Sequence, residues 1–316
     1  MSLATTGGIE TRAHLEIEWV FTSPLVRLSR YRCSAGQGRP LEQMQPWNVI
    51  AFPDHGAFEM AQAGPATVVD ANSVLFLTAH VPYRTRHPAA GAGCDGGSGI
   101  VLTDTLLLDV IERRDAGVAE RPQAPFVATQ APISSRGAML ERLLQRFAAQ
   151  PGGADRVAVE ETALALAAEA VAIPYRNRAP WTERESARRR RELVEAARLF
   201  LAESFRSVVS LDQVARGLGT SAYHLARCFK RQTGLTLHRY LTRLRLREAL
   251  NRVDACRGEL TELALDLGFS SHSHFSAAFR REFGVTPSRF GASPPSAAVL
   301  GRLARQLDRE QPHAPR

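Results

Sequence analysis

Residues 211–240 have the sequence LDQVARGLGTSAYHLARCFKRQTGLTLHRY, and residues 260–290 repeat its pattern as LTELALDLGFSSHSHFSAAFRREFGVTPSRF. At an offset of 49 residues, and of 50 after one inserted residue, twelve positions carry the same or a similar side chain. In the first copy these positions are Leu211, Val214, Ala215, Leu218, Gly219, Leu225, Phe229, Lys230, Arg231, Gly234, Thr236 and Tyr240. Such a patterned match predicts a duplicated structural unit.

Each copy predicts a helix-turn-helix. Leu211–Leu218 places apolar side chains at helical spacing, and Gly219 follows where the C-terminus of a helix favours a left-handed residue. A hydroxyl-bearing residue then stands where a second helix needs an N-terminal cap. The candidate caps are Thr220 and Ser221 in the first copy and Ser270 and Ser271 in the second. Two short helices joined in this way are the helix-turn-helix arrangement.

The second helix of each copy keeps a polar outer face. In the first copy this face carries Tyr223, His224, Arg227, Lys230 and Arg231, and in the second it carries His272, Ser273, His274, Ser276 and Arg280. Leu237–Val253 is predicted to form one long helix between the copies. Because an α-helix fits the major groove of B-DNA, these faces are candidate DNA-contacting surfaces.

The charge distribution favours an anionic partner for the C-terminal half. Residues 176–316 carry 26 Lys and Arg against 14 Asp and Glu, whereas residues 1–175 carry 14 against 18. On one isolated helix, basic residues are more simply interpreted as a solvated face. Two copies within a strongly basic region favour contact with nucleic acid instead.

From about residue 193 to residue 290 the chain resembles the AraC/XylS family of bacterial transcription regulators, most clearly in LALDLGFSSHSHFSAAFRREFGVTPSRF. The resemblance implies two helix-turn-helix units joined by a linker helix, with their second helices in successive major grooves. By the family pattern, the base-contacting positions are Tyr223, His224, Ala226, Arg227, His272, Ser273, His274 and Ala277. The family frequently has Arg where this chain has Ala277, which offers only a methyl group. Arg280 and Arg281 are then expected to contact phosphate.

The N-terminal part has the pattern of a β-domain. Short apolar runs are separated by Gly, Pro, Asn and Asp between residue 15 and about residue 110. The predicted strands are Leu25–Arg32, Trp47–Phe52, Ala57–Met60, Ala66–Val69, Val74–Leu77 and Gly99–Leu102. Turn signals at residues 53–56 and 70–73 predict hairpins. Many short strands predict a barrel or sandwich, and the family resemblance implies a cupin-like effector barrel.

Two helices are predicted next, at Arg136–Gln150 and Arg156–Ile173, with Pro174 ending the second. They either pack as core beside the barrel or pair with a second chain. The prediction is therefore a multidomain β + α protein with a tail whose residues Ala297–Leu307 form a short helix. Its parts are a cupin-like domain at 10–132, a connector at 133–173, a linker at 174–182, a double helix-turn-helix domain at 183–291, and the tail at 292–316.

The predicted function of the N-terminal domain is to bind a small effector in the mouth of the barrel. Its candidate lining residues are Phe52, Phe58, Phe76, His80, Tyr83 and Arg84, although each aromatic side chain also suits a barrel core. Cys33 and Cys94 are an alternative site for sensing oxidants or electrophiles. No metal site is predicted, because the histidines of this region lack H-x-H spacing, and no other cofactor is expected.

The leading prediction is a sequence-specific DNA-binding transcriptional regulator controlled by an effector, and not an enzyme. One alternative is a cupin-fold enzyme fused to a DNA-targeting module, another is a thiol-based sensor, and a third is a chromosome-structuring protein without an effector. The expected partners are double-stranded DNA, a small molecule, a second copy of the chain and, for an activator, RNA polymerase. The sign of regulation stays open. With no signal peptide or long apolar segment, a bacterial cytoplasmic, nucleoid-associated protein is expected.

Overall fold

The computed structural model describes residues 9–12, 14–34, 40–62, 64–87, 95–151, 154–176, 185–256, 259–292 and 294–309. The strands are β1 Ile9–Arg12, β2 Leu15–Thr22, β3 Val26–Cys33, β4 Leu41–Gln43, β5 Val49–His55, β6 Ala57–Ala61, β7 Thr67–Asp70, β8 Ser73–Leu77, β9 Tyr83–Arg86, β10 Asp95–Leu102 and β11 Gln130–Pro132. The helices are α1 Asp104–Glu112, α2 Ser135–Ala148, α3 Arg156–Arg176, α4 Glu185–Ser204, α5 Leu211–Gly217, α6 Ala222–Thr233, α7 Leu237–Arg252, α8 Leu260–Asp266, α9 His272–Phe283, α10 Pro287–Ala292 and α11 Ala297–Arg309. Within these ranges, no helix is long and apolar enough to cross a membrane.

The strands form two sheets rather than a closed barrel. One sheet has the order β1-β2-β3-β10-β5-β8-β11 and the other has the order β4-β9-β6-β7. The chain changes sheet at both predicted turns, between β5 and β6 at Gly56 and between β7 and β8 at residues 71–72. Gly56 has φ +78°, which suits the sharp passage from one sheet to the other. The predicted turns therefore exist, but the hairpins do not, and the barrel is not confirmed.

The connector helices are largely buried within the chain. Ser134 caps α2 by accepting a hydrogen bond from the backbone N of Gly137. Helix α3 continues through Pro174 to Arg176, so this proline does not end the helix as expected. Helix α1, capped by Thr103, was not anticipated at all. The remainder of the predicted linker, residues 177–182, lies outside the described residues.

The tail helix α11 packs against the connector helices α2 and α3. Its buried face consists of Leu300, Ala304 and Leu307. These side chains join the same apolar core as the connector helices and the second helix-turn-helix. Helix α11 thus packs back onto the connector helices and the core shared with the second helix-turn-helix.

The duplicated unit predicted from the sequence is present. Helices α5 and α8 each have seven residues, and α6 and α9 each have twelve. Ser221 caps α6 and Ser271 caps α9, which decides between the two candidates in each copy. Gly234 and Gly284 end these helices with φ +73° and +78°, in the left-handed region that glycine adopts without strain. Helix α7 joins the two units.

Candidate nucleic-acid interface and N-terminal cavity

Helix α6 has one buried face and one solvent-exposed polar face. Leu225 and Phe229 are completely buried and anchor the helix against α4, α5 and α7. The opposite face exposes Tyr223, His224, Arg227, Lys230 and Arg231, with Ala226 half-buried beside them. Tyr223 is 76% exposed, which is unusual for an aromatic side chain without a partner surface. The face therefore presents an aromatic ring and three cations to solvent.

Helix α9 repeats this arrangement. Phe275 and Phe279 are completely buried, while the outer face exposes His272, Ser273, His274, Ala277, Arg280 and Arg281. The two histidines are held by local contacts. His272 Nε2 lies 3.2 Å from Ser276 Oγ, and His274 Nδ1 lies 3.1 Å from Ser270 Oγ. The Ala277 methyl group is exposed, in keeping with its expected position.

The cations on these two faces differ from most arginines nearby. Within the described ranges, no acidic side chain forms an ion pair with Arg227, Lys230, Arg231, Arg280 or Arg281. By contrast, Arg243 pairs with Glu282 at 2.7 Å and Arg206 pairs with Glu248 at 3.2 Å. A set of uncompensated cations on matched helices can accept phosphate groups without first breaking an internal pair.

A buried polar cluster, which we call the Asp70 cluster (Asp70, Ser73, Arg198 and Tyr240), joins the two domains. Tyr240 Oη on α7 donates to Asp70 Oδ2 at 2.5 Å. Arg198 on α4 donates to Tyr240 Oη at 2.8 Å and to Ser73 Oγ at 3.0 Å. Burial alone would lower the pKa of Arg198, but the oxygens of Tyr240 and Asp70 raise it above its ordinary value. The guanidinium therefore stays charged inside the interface.

A second polar contact ties α7 and α9 to the start of α2. Arg247, only 4% exposed, donates to the backbone carbonyls of residues 133–135 at 3.1 to 3.5 Å. Burial lowers the pKa of Arg247 to about 10. Glu282 accepts from Ser135 Oγ and from Arg243 Nε. Both helix-turn-helix units are thus fastened to the N-terminal half of the chain.

The N-terminal domain contains an apolar cavity of about 80 Å³. Its apolar and aromatic lining includes Leu15, Ile17, Trp19, Phe58, Met60, Leu75, Leu77, Tyr83 and Val101. Three buried polar atoms at its wall have no hydrogen-bond partner among the described residues: Tyr31 Oη, Thr85 Oγ1 and His87 Nδ1. Unsatisfied buried polar groups are rare in folded proteins and indicate a place for a ligand or water.

One end of the cavity holds Cys33, His87 and Asp95, each at most 5% exposed. Their donor atoms lie within 4.8 Å of one another. His87 Nε2 forms a short hydrogen bond with Asp95 Oδ1. This bond, helped by one with Cys33, raises the pKa of His87 to about 10. Burial raises the pKa of the nearby Tyr31 well above its usual range, and the charge of Asp95 adds to this effect.

The structure corrects most of the predicted cavity residues. Phe58 and Tyr83 line the cavity, but Phe52 and Phe76 point to the other face of their sheet and pack in the core with the helices. Side chains alternate between the two faces of a strand, so the neighbours of Phe52 and Phe76 face the cavity instead. His80 and Arg84 are exposed and lie outside it.

Of the two cysteines considered as sensors, only Cys33 can be placed. It is a free, buried thiol in the cavity wall, whereas Cys94 lies outside the described residues. The grouping of Cys33 with His87 and Asp95 contains no H-x-H spacing, so the sequence pattern did not indicate it. These residues come from three separate strand ends, so only the pairing of the strands brings them together.

Comparison with known proteins agrees with the C-terminal architecture. Residues 214–293 match a family model described as a helix-turn-helix domain. The HTH-type transcriptional activators RhaS of Escherichia coli strains SE11 and O157:H7 are each 42% identical to this chain over 88 residues. The match covers 28% of this chain and 32% of the relative, so the chain spans about a third of the length of these curated relatives.

Solved structures with some likeness include a transcriptional regulator from Chromobacterium violaceum described as containing an AraC-type DNA-binding domain. It is 29% identical, with a TM-score of 0.31, and the match covers 32% of this chain and 90% of that one. ToxT from Vibrio cholerae O395 is 11% identical, with a TM-score of 0.34, over 85% of this chain and 97% of that one. At these scores, neither structure bears on how the domains of this chain are arranged.

Proposed function

We propose that the chain is an AraC/XylS-type, sequence-specific, DNA-binding transcriptional regulator. The helix-turn-helix match of residues 214–293 and the 42% identity to RhaS over 88 residues support this proposal. Helices α6 and α9 enter the major groove with their exposed polar faces. Tyr223, His224, Ala226 and Arg227 contact bases in the first unit. His272, Ser273, His274 and Ala277 do so in the second. Lys230, Arg231, Arg280 and Arg281 neutralise phosphates.

The observation that carries this proposal is the matched pair of uncompensated basic faces. Both helices bury two large side chains and expose a row of cations without internal acidic partners. A face that contacts only solvent does not require its cations to lack acidic partners. A polyanionic partner explains why unpaired Arg and Lys stand at equivalent positions of both copies.

The effector of this regulator binds in the cavity of the N-terminal domain. The apolar lining suits a small, mostly apolar molecule, and the unpartnered atoms of Tyr31 and Thr85 suit one polar group on it. Strand β8 links this cavity to the DNA-binding domain, because Leu75 and Leu77 line the cavity while Ser73 contacts Arg198. A ligand that shifts β8 would therefore alter the Asp70 cluster and, through it, the placement of the first unit.

A second copy of the chain and RNA polymerase complete the proposed set of partners. The relatives named RhaS are activators, and activation by this chain would require a contact with RNA polymerase. The connector helices are the proposed dimer contact. Because α11 covers part of α3, a partner chain has only the remaining surface of these helices available.

We expect Arg227→Ala to weaken binding to the preferred DNA site by about 1–3 kcal/mol and to relax discrimination at one base pair, since a bidentate base contact would be lost. The measurement is fluorescence anisotropy on a site selected from genomic fragments and on a set of its single-base variants. Arg302→Ala is the matched control, because Arg302 is an exposed arginine on α11, outside both units. Its removal should leave the affinity unchanged.

Salt dependence supplies the second readout of the same experiment. The logarithm of the binding constant should fall linearly with the logarithm of salt concentration, by about 0.9 for each phosphate neutralised. An Arg227→Ala variant that weakens all sequences equally would make Arg227 a phosphate contact. Binding that is independent of salt would contradict the proposed interface as a whole.

A further inference from the structure

The group formed by Cys33, His87 and Asp95 connects the two sheets of the N-terminal domain. Cys33 ends β3, Asp95 begins β10, and these two residues face each other directly in the antiparallel pair. His87 follows β9, which belongs to the other sheet. A ligand shared by these three side chains would therefore join the sheets at one end of the cavity.

From this placement we propose that Cys33 Sγ, an imidazole nitrogen of His87 and a carboxylate oxygen of Asp95 bind a divalent transition-metal ion of the zinc type. The three donor atoms lie within 4.8 Å of one another, close enough to share one ion at ordinary ligand distances of about 2.0 to 2.3 Å. Sulfur, imidazole nitrogen and carboxylate oxygen are the donors that Zn²⁺ accepts, and this mixture excludes Mg²⁺ and Ca²⁺, which take oxygen. The inference concerns the N-terminal domain alone and does not rest on the proposed function.

The surroundings favour an ion with one open coordination position. Three protein ligands leave the fourth position of a tetrahedral zinc site to water or to another molecule. All three proposed ligands line the cavity, so a fourth ligand can enter from it, and the same wall contains the buried, unpartnered Tyr31 Oη and Thr85 Oγ1. Tyr31 lies two residues before Cys33 on β3, and therefore on the same face of the strand. Its hydroxyl can hydrogen-bond to whatever fills the fourth position.

The imidazole of His87 can supply a ring nitrogen to a metal ion. Its Nε2 is bonded to Asp95, and its Nδ1 is buried without a partner among the described residues. Phe58 stacks on the ring with the centroids 5.7 Å apart and fixes its plane. On binding, the metal ion replaces the proton now shared between His87 and Asp95 and the thiol proton of Cys33, and both protons are released to solvent.

The test is metal uptake by the full-length protein after purification in the presence of a chelator. Titration with Zn²⁺ should reach one tightly bound equivalent and raise the melting temperature, because the ion binds only the folded form. Titration with Co²⁺ should produce the visible bands of tetrahedral coordination together with a near-ultraviolet thiolate charge-transfer band. Bound Zn²⁺ should also protect Cys33 from alkylation.

Two variants and a control make the test specific. Cys33→Ser should abolish the charge-transfer band, and His87→Gln should abolish one-equivalent uptake. Cys256→Ser should preserve both, because this half-buried thiol lies after α7, outside the cavity. Circular dichroism of the metal-free proteins shows whether each variant is folded.

Several results would overturn the proposal. One is wild-type protein that takes up no stoichiometric metal. Another is uptake that persists in both folded variants. A third is Cys33 that alkylates at the same rate with and without Zn²⁺, a result that would leave it as a free reactive thiol. DNA binding is measured separately, so failure here would not count against the regulator, nor would success prove it.

Discussion

Replacing Asp70 by alanine is expected to lower the free energy of unfolding by about 3–5 kcal/mol, the cost of removing one partner from a buried ion pair. The Asp70 side chain is completely buried and accepts hydrogen bonds from Tyr240 Oη, Ser73 Oγ and the backbone N of Asn72. Its loss leaves the buried Arg198 guanidinium with less compensation and the Tyr240 hydroxyl without its acceptor. Urea denaturation would measure the change.

The same variant is expected to uncouple the two halves of the molecule. Two of the three tryptophans, Trp19 and Trp47, contact each other edge to face in the N-terminal domain, so tryptophan fluorescence in a Trp181→Phe background follows its unfolding. Far-ultraviolet circular dichroism follows the helices. In the wild type the two transitions should coincide, whereas in Asp70→Ala they should separate.

A matched control is Asp109→Ala, since Asp109 is an exposed carboxylate on α1. It should change the free energy of unfolding by no more than about 0.5 kcal/mol. If Asp70→Ala costs no more than this control, the Asp70 cluster does not hold the domains together. A double-mutant cycle that combines Asp70→Ala with Tyr240→Phe gives the energy of the contact between these two side chains.

The helices of the C-terminal domain were predictable because their signals are local. The caps at Ser221 and Ser271 and the left-handed glycines at 234 and 284 lie within a few residues of the ends they define. The helix boundaries predicted for residues 193–290 therefore lie within about two residues of those observed. Helix α1 was missed because the short apolar run at residues 106–111 has no clear period, and strands and helices look alike over such a length.

The N-terminal domain was less predictable because its decisive contacts are not local. Six predicted strands are present, but which sheet each joins depends on pairing between distant segments. Phe52 and Phe76 were assigned to the cavity and face the helices, since the hydrophobic pattern of a strand buried on both faces does not distinguish its two sides. The Asp70 cluster joins residues separated by 128 and 170 positions in the sequence, and no local sequence pattern predicts it.

A second large effect is expected from Glu141, which lies on α2 and is 8% exposed. Burial raises the pKa of its carboxyl to about 7, although a hydrogen bond donated by Ser98 Oγ opposes the shift. The folded protein therefore retains a proton on Glu141 up to about pH 7, while the unfolded chain releases it near pH 4.5. Between these values the folded state binds more protons, so this group makes stability fall as the pH rises.

Glu141→Gln should remove that loss. The amide is nearly isosteric, can still accept from Ser98 and carries no charge at any pH. The variant should match the wild type near pH 4 and exceed its free energy of unfolding by up to about 3 kcal/mol at pH 8. The measurement is chemical denaturation at pH 4, 5, 6, 7 and 8, with the difference between the two proteins plotted against pH.

The difference plot isolates Glu141 from the other groups that titrate. His87, whose pKa is raised to about 10, also makes stability fall with rising pH, but between about pH 6.5 and 10. Because His87 is present in both proteins, its contribution cancels in the difference. Glu161→Gln serves as the matched control, since Glu161 is exposed on α3 and its replacement should give a flat line. A flat line for Glu141→Gln as well would mean that Ser98, Arg30 and Arg142 stabilise its carboxylate by as much as burial penalises it.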